Sequence, residues 1–571
     1  MSVVLPLFLK LQQQLCVTTG TMSIQRLPQL SRSTRALLLI ALAGLALAAC
    51  GGGGSAANAS AGLSTSTAAA LPVAETSTAA ARVGSDAMPA AEPVADILSA
   101  ADTGAALAVK EAPTAAILPA EASPAVTTLD IPATAAPTPA APPVAPAAVP
   151  AAAVSALQPP TLPRTGLAAG DLAVLYADGD ATSEAIARAY QRARGIPEAN
   201  LLRVVIPGGA DAISDSAFAG IKVDLDARLP AHIQATLVTW TQPSRVAGVT
   251  CAMGITSALA FGYNAALCGG CSRTQASAYY DTDTTRPYTD LRIRPSMMLG
   301  AATLEAAQAL IARGVAADGA APTGTGWLLR TADAARSVRY TDYPALPAAW
   351  ATDPGPALRY LDASPAGWAQ ELVGYNDVMF YFTGLVRVPQ AASNRFLPGA
   401  VADTLTSFGG FLPGAKGQMP VTDWLAAGAT ASYGTVEEPC NFAEKFSRAS
   451  VLVAHYARGA TLIEAYWKSV AWPGQGLFVG EPLARPWAGV PSATVEGNEL
   501  VIRSRGLRRN GAYRVEWLDA GGSAWRTLAS ATAGQPRPTA WRVPLPVVTT
   551  GGKLRWVGPC PLQPAQSCVL G

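Results

Sequence analysis

Residues 51–160 set the first constraint. Of these 110 residues, 53 are Ala or Pro, and none is Phe, Trp, Tyr or Cys. A segment without aromatics cannot bury enough apolar surface to offset about 1–2 kcal/mol of backbone entropy per ordered residue. Pro132–Pro150 (PATAAPTPAAPPVAPAAVP) favours extended polyproline II, and the proline density after Pro113 opposes an Ala-rich helix. The segment reads as a disordered, semi-stiff stalk. It accounts for a composition that is 50% hydrophobic but only 7% aromatic and 14% charged, where globular domains carry about a quarter charged residues. The mean hydropathy of +0.24 then needs no integral membrane domain.

Ahead of the stalk lies an address. Arg26, Arg32 and Arg35 precede an apolar run, Ala36–Ala46, and Leu47-Ala48-Ala49-Cys50 fits a lipobox. The run is shorter than the roughly 20 residues that span a bilayer, which favours a cleaved signal over a membrane helix. A plain secretory signal with a chance cysteine is the competing reading. Resemblance to bacterial lipoprotein signals implies a diacylglycerol thioether on Cys50 and, after cleavage, an acylated amine. Several acyl chains anchor stably where one does not. Gly51–Ser55 (GGGGS) follows as a tether. The residue after Cys50 is not Asp, which in lipoprotein sorting points to the outer membrane. Residues 1–21 lie upstream of a complete signal, so Met22 is the expected start.

The resulting division is 1–21 extension, 22–50 signal, 51–163 stalk, 164–489 α/β domain and 490–571 small β domain. A net charge of +2 gives no basic face for nucleic acid. The expected partners are the membrane, through Cys50, and an envelope protein. No cofactor or metal is expected.

From Gly166 the pattern alternates. Leu172–Tyr176, Leu202–Ile206, Ala235–Trp240, Trp327–Thr331 and Val378–Thr383 are short apolar runs that suit buried parallel strands. Between them, Ser183 is expected to cap a helix through Arg194 closed by Gly195. Ala217–Arg228 reads as helical. Thr303 caps LEAAQALIAR, which Gly314 is expected to end. Ser450–Trp472 reads as one or two helices, broken near Gly459 and restarted by Thr461. The alternation predicts a doubly wound, mostly parallel α/β sheet with ligands at the carboxyl ends of its strands. After Val490, five short alternating runs between Glu499 and Val557 predict an all-β, sandwich-like module.

Cys16 and Cys50 aside, six cysteines remain, an even number behind an export signal, which favours disulfides. Cys560 and Cys568 would close a terminal loop. Cys251, Cys268, Cys271 and Cys440 then allow three connectivities. Cys268-Gly-Gly-Cys271 also has redox or zinc spacing, although its context is loop-like and only His232 and His455 exist as further ligands of that kind. His232 reads as structural. His455, on the helix SVLVAHYARG, pairs with Cys440, 15 positions before it, as a candidate nucleophile–base couple if the intervening chain folds back; a Cys440 disulfide is the alternative.

Asp178, Asp180, Glu437, Glu438 and Glu481 all follow apolar runs. If they converge on one sheet edge they can hold a hard cation or act as an acid–base pair. Loop solvation and helix capping are the plainer reading. No GxGxxG, Walker A, GxSxG or HExxH pattern stands in a usable context.

VLYADGDATSEAIARAYQRARGIPEANLL, MMLGAATLEAAQALIARGVAAD and the long block from Gly428 to Trp487 (GATASYGTVEEPCNFAEKF…EPLARPW) resemble an uncharacterised bacterial envelope family catalogued by number without an assigned activity. The resemblance covers roughly residues 166–487 and implies an exported α/β protein. The chain also resembles, more distantly, the caspase-like fold of gingipain-type cysteine peptidases. That resemblance implies a His-Gly after one central strand and a catalytic Cys after the next. Thr383-Gly384 and Ser407-Phe408-Gly409-Gly410 stand at the corresponding places, so the usual dyad is missing. Two functions follow as expectations: a binding or assembly module, or a hydrolase using Cys440 with His455 or the carboxylates.

Overall fold

The computed structural model describes residues 157–351, 355–533, 540–545 and 551–570. The extension, the signal with Cys50, and the stalk up to residue 156 lie outside the described residues.

The chain after Gly170 enters β1 (Leu172–Ala177), where every side chain but Tyr176 is buried. The turn Asp178-Gly179-Asp180 requires a left-handed residue, and Gly179 supplies it at φ 75°. Helix α1 (Ala181–Arg194) follows and Gly195 closes it at φ 63°, as the sequence predicts. The cap differs from expectation. Asp180, not Ser183, accepts from the amides of Thr182 and Ser183. Ser183 is buried instead. Its Oγ accepts from Ala177 N at 3.0 Å and lies 2.8 Å from Thr239 Oγ1, tying the helix start to two strand ends.

The main sheet has ten strands. In chain order they are β1, β2 (Leu201–Val204), β4 (Ala235–Val238), β7 (Ser296–Met298), β8 (Thr325–Arg330), β9 (Ala357–Asp362), β10 (Val378–Thr383), β11 (Phe396–Thr404), β12 (Ala431–Thr435) and β13 (Gly476–Gly480). Their spatial order is β2-β1-β4-β7-β13-β12-β11-β10-β8-β9. Every neighbouring pair is parallel except β12 with β13, which run antiparallel from Ala431↔Gly480 to Thr435↔Gly476. The sheet is therefore two parallel five-stranded halves joined at an antiparallel seam. Counted along the chain, each half has the order 2-1-3-4-5, the flavodoxin-like doubly wound pattern. The first half takes its fifth strand, β13, from beyond the second half. A separate small sheet holds β3 (Ala212–Ser214), β5 (Arg245–Ala247) and β6 (Ala252–Gly254).

Helices α2 (Asp215–Arg228), α3 (Ile255–Phe261), α4 (Pro287–Leu291), α5 (Leu304–Ala317), α6 (Leu346–Trp350), α7 (Val421–Ala426), α8 (Ala449–Ala457) and α9 (Leu462–Ser469) complete the domain. Thr303 caps α5 through Ala306 N, as expected. Gly314 does not end it. A Cβ there would fall 2.3 Å from Glu481 Oε2, so this glycine permits close packing inside a continuing helix. Thr461 restarts the chain after Gly459 with a capping box to Glu464, and α9 is buried along its length. Trp467 stacks on Phe478 at 4.3 Å and donates to Ser296 O at 2.9 Å, fixing α9 across β13 and β7.

The C-terminal module pairs a three-stranded sheet, β14 (Ser492–Glu496), β15 (Glu499–Arg503) and β18 (Trp541–Pro544), with a four-stranded one. The latter is β16 (Ala512–Leu518), β17 (Arg526–Thr532), β19 (Lys553–Pro559) and β20 (Ser567–Leu570). They enclose a separate core that includes Leu500, Val515 and Trp556. Leu157 and Leu162, grouped by composition with the stalk, pack against this core, and Gln158 bridges to Lys553. The folded unit thus begins before residue 164, because those leucines have an apolar surface to cover.

Candidate functional site

Cys440 sits in the loop after β12, and its sulfur is bonded to Cys271. Cys251 pairs with Cys268, and Cys560 with Cys568. The Cys268-Gly-Gly-Cys271 reading is therefore corrected: its two sulfurs go to different partners, leaving neither a redox dithiol nor a zinc pair. Cys271 and Cys440 lie within 4.8 Å of a Glu438 carboxylate oxygen, but both sulfurs are consumed in the disulfide.

The Cys440–His455 couple is likewise corrected. A disulfide sulfur has no thiolate to activate, and His455 faces another group. On α8 it is buried, with Nε2 3.0 Å from Asp281 Oδ1 and Nδ1 2.8 Å from Arg458 Nη2. Arg458 can only donate, so Nδ1 accepts and Nε2 carries the proton to Asp281. Burial, then the nearby Arg458 charge, depresses the imidazole pKa to about 3. The ring is neutral and both nitrogens are committed. Arg508, from the C-terminal module, meets Asp281 at 2.8 Å and Asp283 at 3.1 Å, while Arg458 meets Asp283 at 2.7 Å. Burial opposes ionisation of Asp283, but Arg458, His455 and Arg508 outweigh it and hold its carboxyl below the usual range. His455 is thus part of a fastener between core and module. His232, the other histidine, is exposed before β4.

Beside this fastener lies a cavity of about 550 Å³, bordered by Arg164, Arg286, Arg458 and Lys468. Its arginines are already neutralised, by Asp171, Asp290 and Asp283 respectively. Buried Lys468 stands 3.9 Å from Glu464.

The five carboxylates do not converge. Asp178 pairs with Arg203 after β1, and Asp180 caps α1. Glu437 accepts from Ala252 N at 3.0 Å and Glu438 from Cys440 N at 2.9 Å. Glu481 is buried after β13 and accepts from Tyr190 Oη at 2.7 Å and Arg194 Nε at 2.9 Å. Three places with separate partners replace the expected cluster: each carboxylate satisfies its own local donors.

The carboxyl ends of the second half hold what the sequence reading missed. Arg339, shortly after β8, is buried. Its Nη1 donates to Asp403 Oδ1 at 2.6 Å and its Nη2 to Thr383 O at 2.8 Å. Ser447 Oγ donates to the other Asp403 oxygen at 2.5 Å. The group therefore ties the segment after β8 to the ends of β10 and β11, next to the β8/β10 point where the strand order reverses. Gly384 follows Thr383, and a Cβ there would lie 2.0 Å from Arg336 O, leaving no room for a side chain. A charged Asp inside VADT was the available sequence signal, since a buried carboxylate demands a partner. Its partner is 64 residues away.

The carboxyl ends of β4 and β7, in the first half, are open. A cavity of about 570 Å³ runs from Thr241, Gln242 and Gly300 between α5 and α7. Among the described residues, no helix is long and apolar enough to cross a membrane. Comparison with family models, curated proteins and solved structures gives no match.

Proposed function

We propose that this is an exported, lipid-anchored envelope protein whose activity is binding, not hydrolysis, on a scaffold of the caspase-like kind. One observation carries the reading. Where gingipain-type peptidases keep their dyad, the second half holds Thr383-Gly384 and Ser407, and the ground beneath is filled by the Arg339–Asp403 pair. The hydrolase reading loses its thiolate to Cys271 and its free base to Asp281 and Arg458. The open strand ends of the first half supply the binding place, and the module-bearing fold supplies surface for an envelope partner.

The test combines two measurements. The oxidised protein is incubated with fluorogenic peptides and with cysteine- and serine-directed covalent probes. No turnover and no labelling are expected; a stoichiometric adduct, on Ser407 for instance, overturns the reading. Separately, Cys50→Ser is expected to shift the protein from the membrane fraction to the soluble envelope fraction and to remove the acyl mass. An unchanged fractionation overturns the anchor.

A further inference from the structure

The open cavity of the first half has one polar feature that sets it apart. Ala306, Ala309, Leu310 and Arg313 are spaced i, i+3, i+4, i+7, so a single face of α5 forms one wall. Leu425 and Ala426 of α7 face it. Ala302, Ala306, Ala309 and Ala426 are exposed, a run of small apolar side chains left open to solvent. From Ala306 to Arg313 the wall is about 10 Å long at 1.5 Å per residue.

Arg313 closes one end. Its Nη2 donates to Leu425 O at 2.9 Å and Ala429 O at 3.1 Å, which fixes the side chain. Its Nε has no hydrogen-bond partner, and among the described residues no carboxylate acts on it. Burial alone pulls its pKa down, with no neighbouring acid to restore it. Every arginine around the 550 Å³ cavity has a carboxylate; this one has none. A held, uncompensated guanidinium at the end of an apolar trough is complementary to an anion attached to a hydrocarbon chain.

We propose that the groove between α5 and α7 binds an aliphatic carboxylate, with the headgroup on Arg313 and the chain along Ala309 and Ala306 toward Gly300. This deepens the binding reading and rests on it. The cavity volume of about 570 Å³ falls within the range of about 300–1,000 Å³ usual for small-molecule sites.

The experiment uses the oxidised mature chain and cis-parinaric acid as fluorescent probe. Dodecanoate, methyl dodecanoate, dodecyltrimethylammonium and an Ala-rich peptide with a free C-terminus compete for it. Dodecanoate is expected to displace the probe at least tenfold better than the ester or the cation. Arg313→Gln should weaken dodecanoate at least tenfold and leave the ester unchanged; Ala309→Trp, at an exposed position, should abolish probe binding. Equal competition by ester and acid on the unmodified protein overturns the proposal without recourse to any variant, as does displacement by the peptide alone. Mass analysis of recovered dodecanoyl ligands separates the two failures. Ligand bound and chemically altered overturns the non-catalytic reading but not the ligand class. No binding and no alteration overturns the ligand class but not the non-catalytic reading.

Discussion

The two halves of the main sheet share one strand order but treat their carboxyl ends in opposite ways. In the second half a buried arginine is met by Asp403, Ser447 and Thr383, and the cavity it borders is small, about 210 Å³. In the first half an arginine is held by two carbonyls, meets no acid among the described residues, and borders open space. The fold rule that locates a crevice at the strand ends is therefore met in both halves, around a paired charge in one and an unpaired charge in the other. A charge with its counter-charge built in is structure; a charge without one is an invitation to a ligand.

The sharpest way to break this contrast is to delete each arginine. Arg339→Met strands the buried Asp403 carboxylate and should cost about 3–5 kcal/mol in urea denaturation. Next in size, replacing Cys271 and Cys440 together by Ser removes a crosslink between the loop before β7 and the loop after β12, closing a sequence separation of 169 residues. A loss of about 2–4 kcal/mol is expected, seen as a lower denaturation midpoint. A smaller effect follows from His455. Its folded pKa of about 3 lies below the ordinary value of 6.5, so the fold favours the neutral ring. The stability it contributes is complete above pH 6.5 and declines as pH falls toward 3, by up to about 1.4 kcal/mol per pH unit. Melting curves between pH 7 and 4.5 should show this decline, and His455→Gln should flatten it. Smallest of all, Arg313→Met should cost about 1 kcal/mol, since two carbonyls lose a donor but no buried charge is left behind. A loss as large as that of Arg339→Met would erase the distinction between the halves.

Much of the first half was legible. β1, α1 and the Thr303 cap follow from apolar runs bounded by turn and cap residues, and β10 reads equally plainly in the second half. The seam was not. β12 (ASYGT) and β13 (GLFVG) carry glycines because their neighbours press close: a Cβ on Gly434 would lie 2.7 Å from Gly410 N, and one on Gly476 2.3 Å from Tyr433 Oη. Close approach replaces the β-branched residues that announce a strand. The site was misread for a related reason. Cys440 and His455 are near in sequence, and proximity there suggested partnership. Their real partners, Cys271 and Asp281, lie 169 and 174 residues away. The arginines that matter sit in unremarkable helical and loop sequence, where only three-dimensional neighbours tell a paired charge from an unpaired one.

The placement of β13 carries a consequence for how the protein is made. Strands β1, β2, β4 and β7 are synthesised first, yet the strand that covers the inner edge of β7 begins only at Gly476. For the whole time the second half is emerging, the first half carries a bare sheet edge. That edge is three residues long, Ser296–Met298, too short to template much pairing with a stranger. An edge that short offers little to pair with, and β13, the last strand of the main sheet in chain order, locks both halves at once.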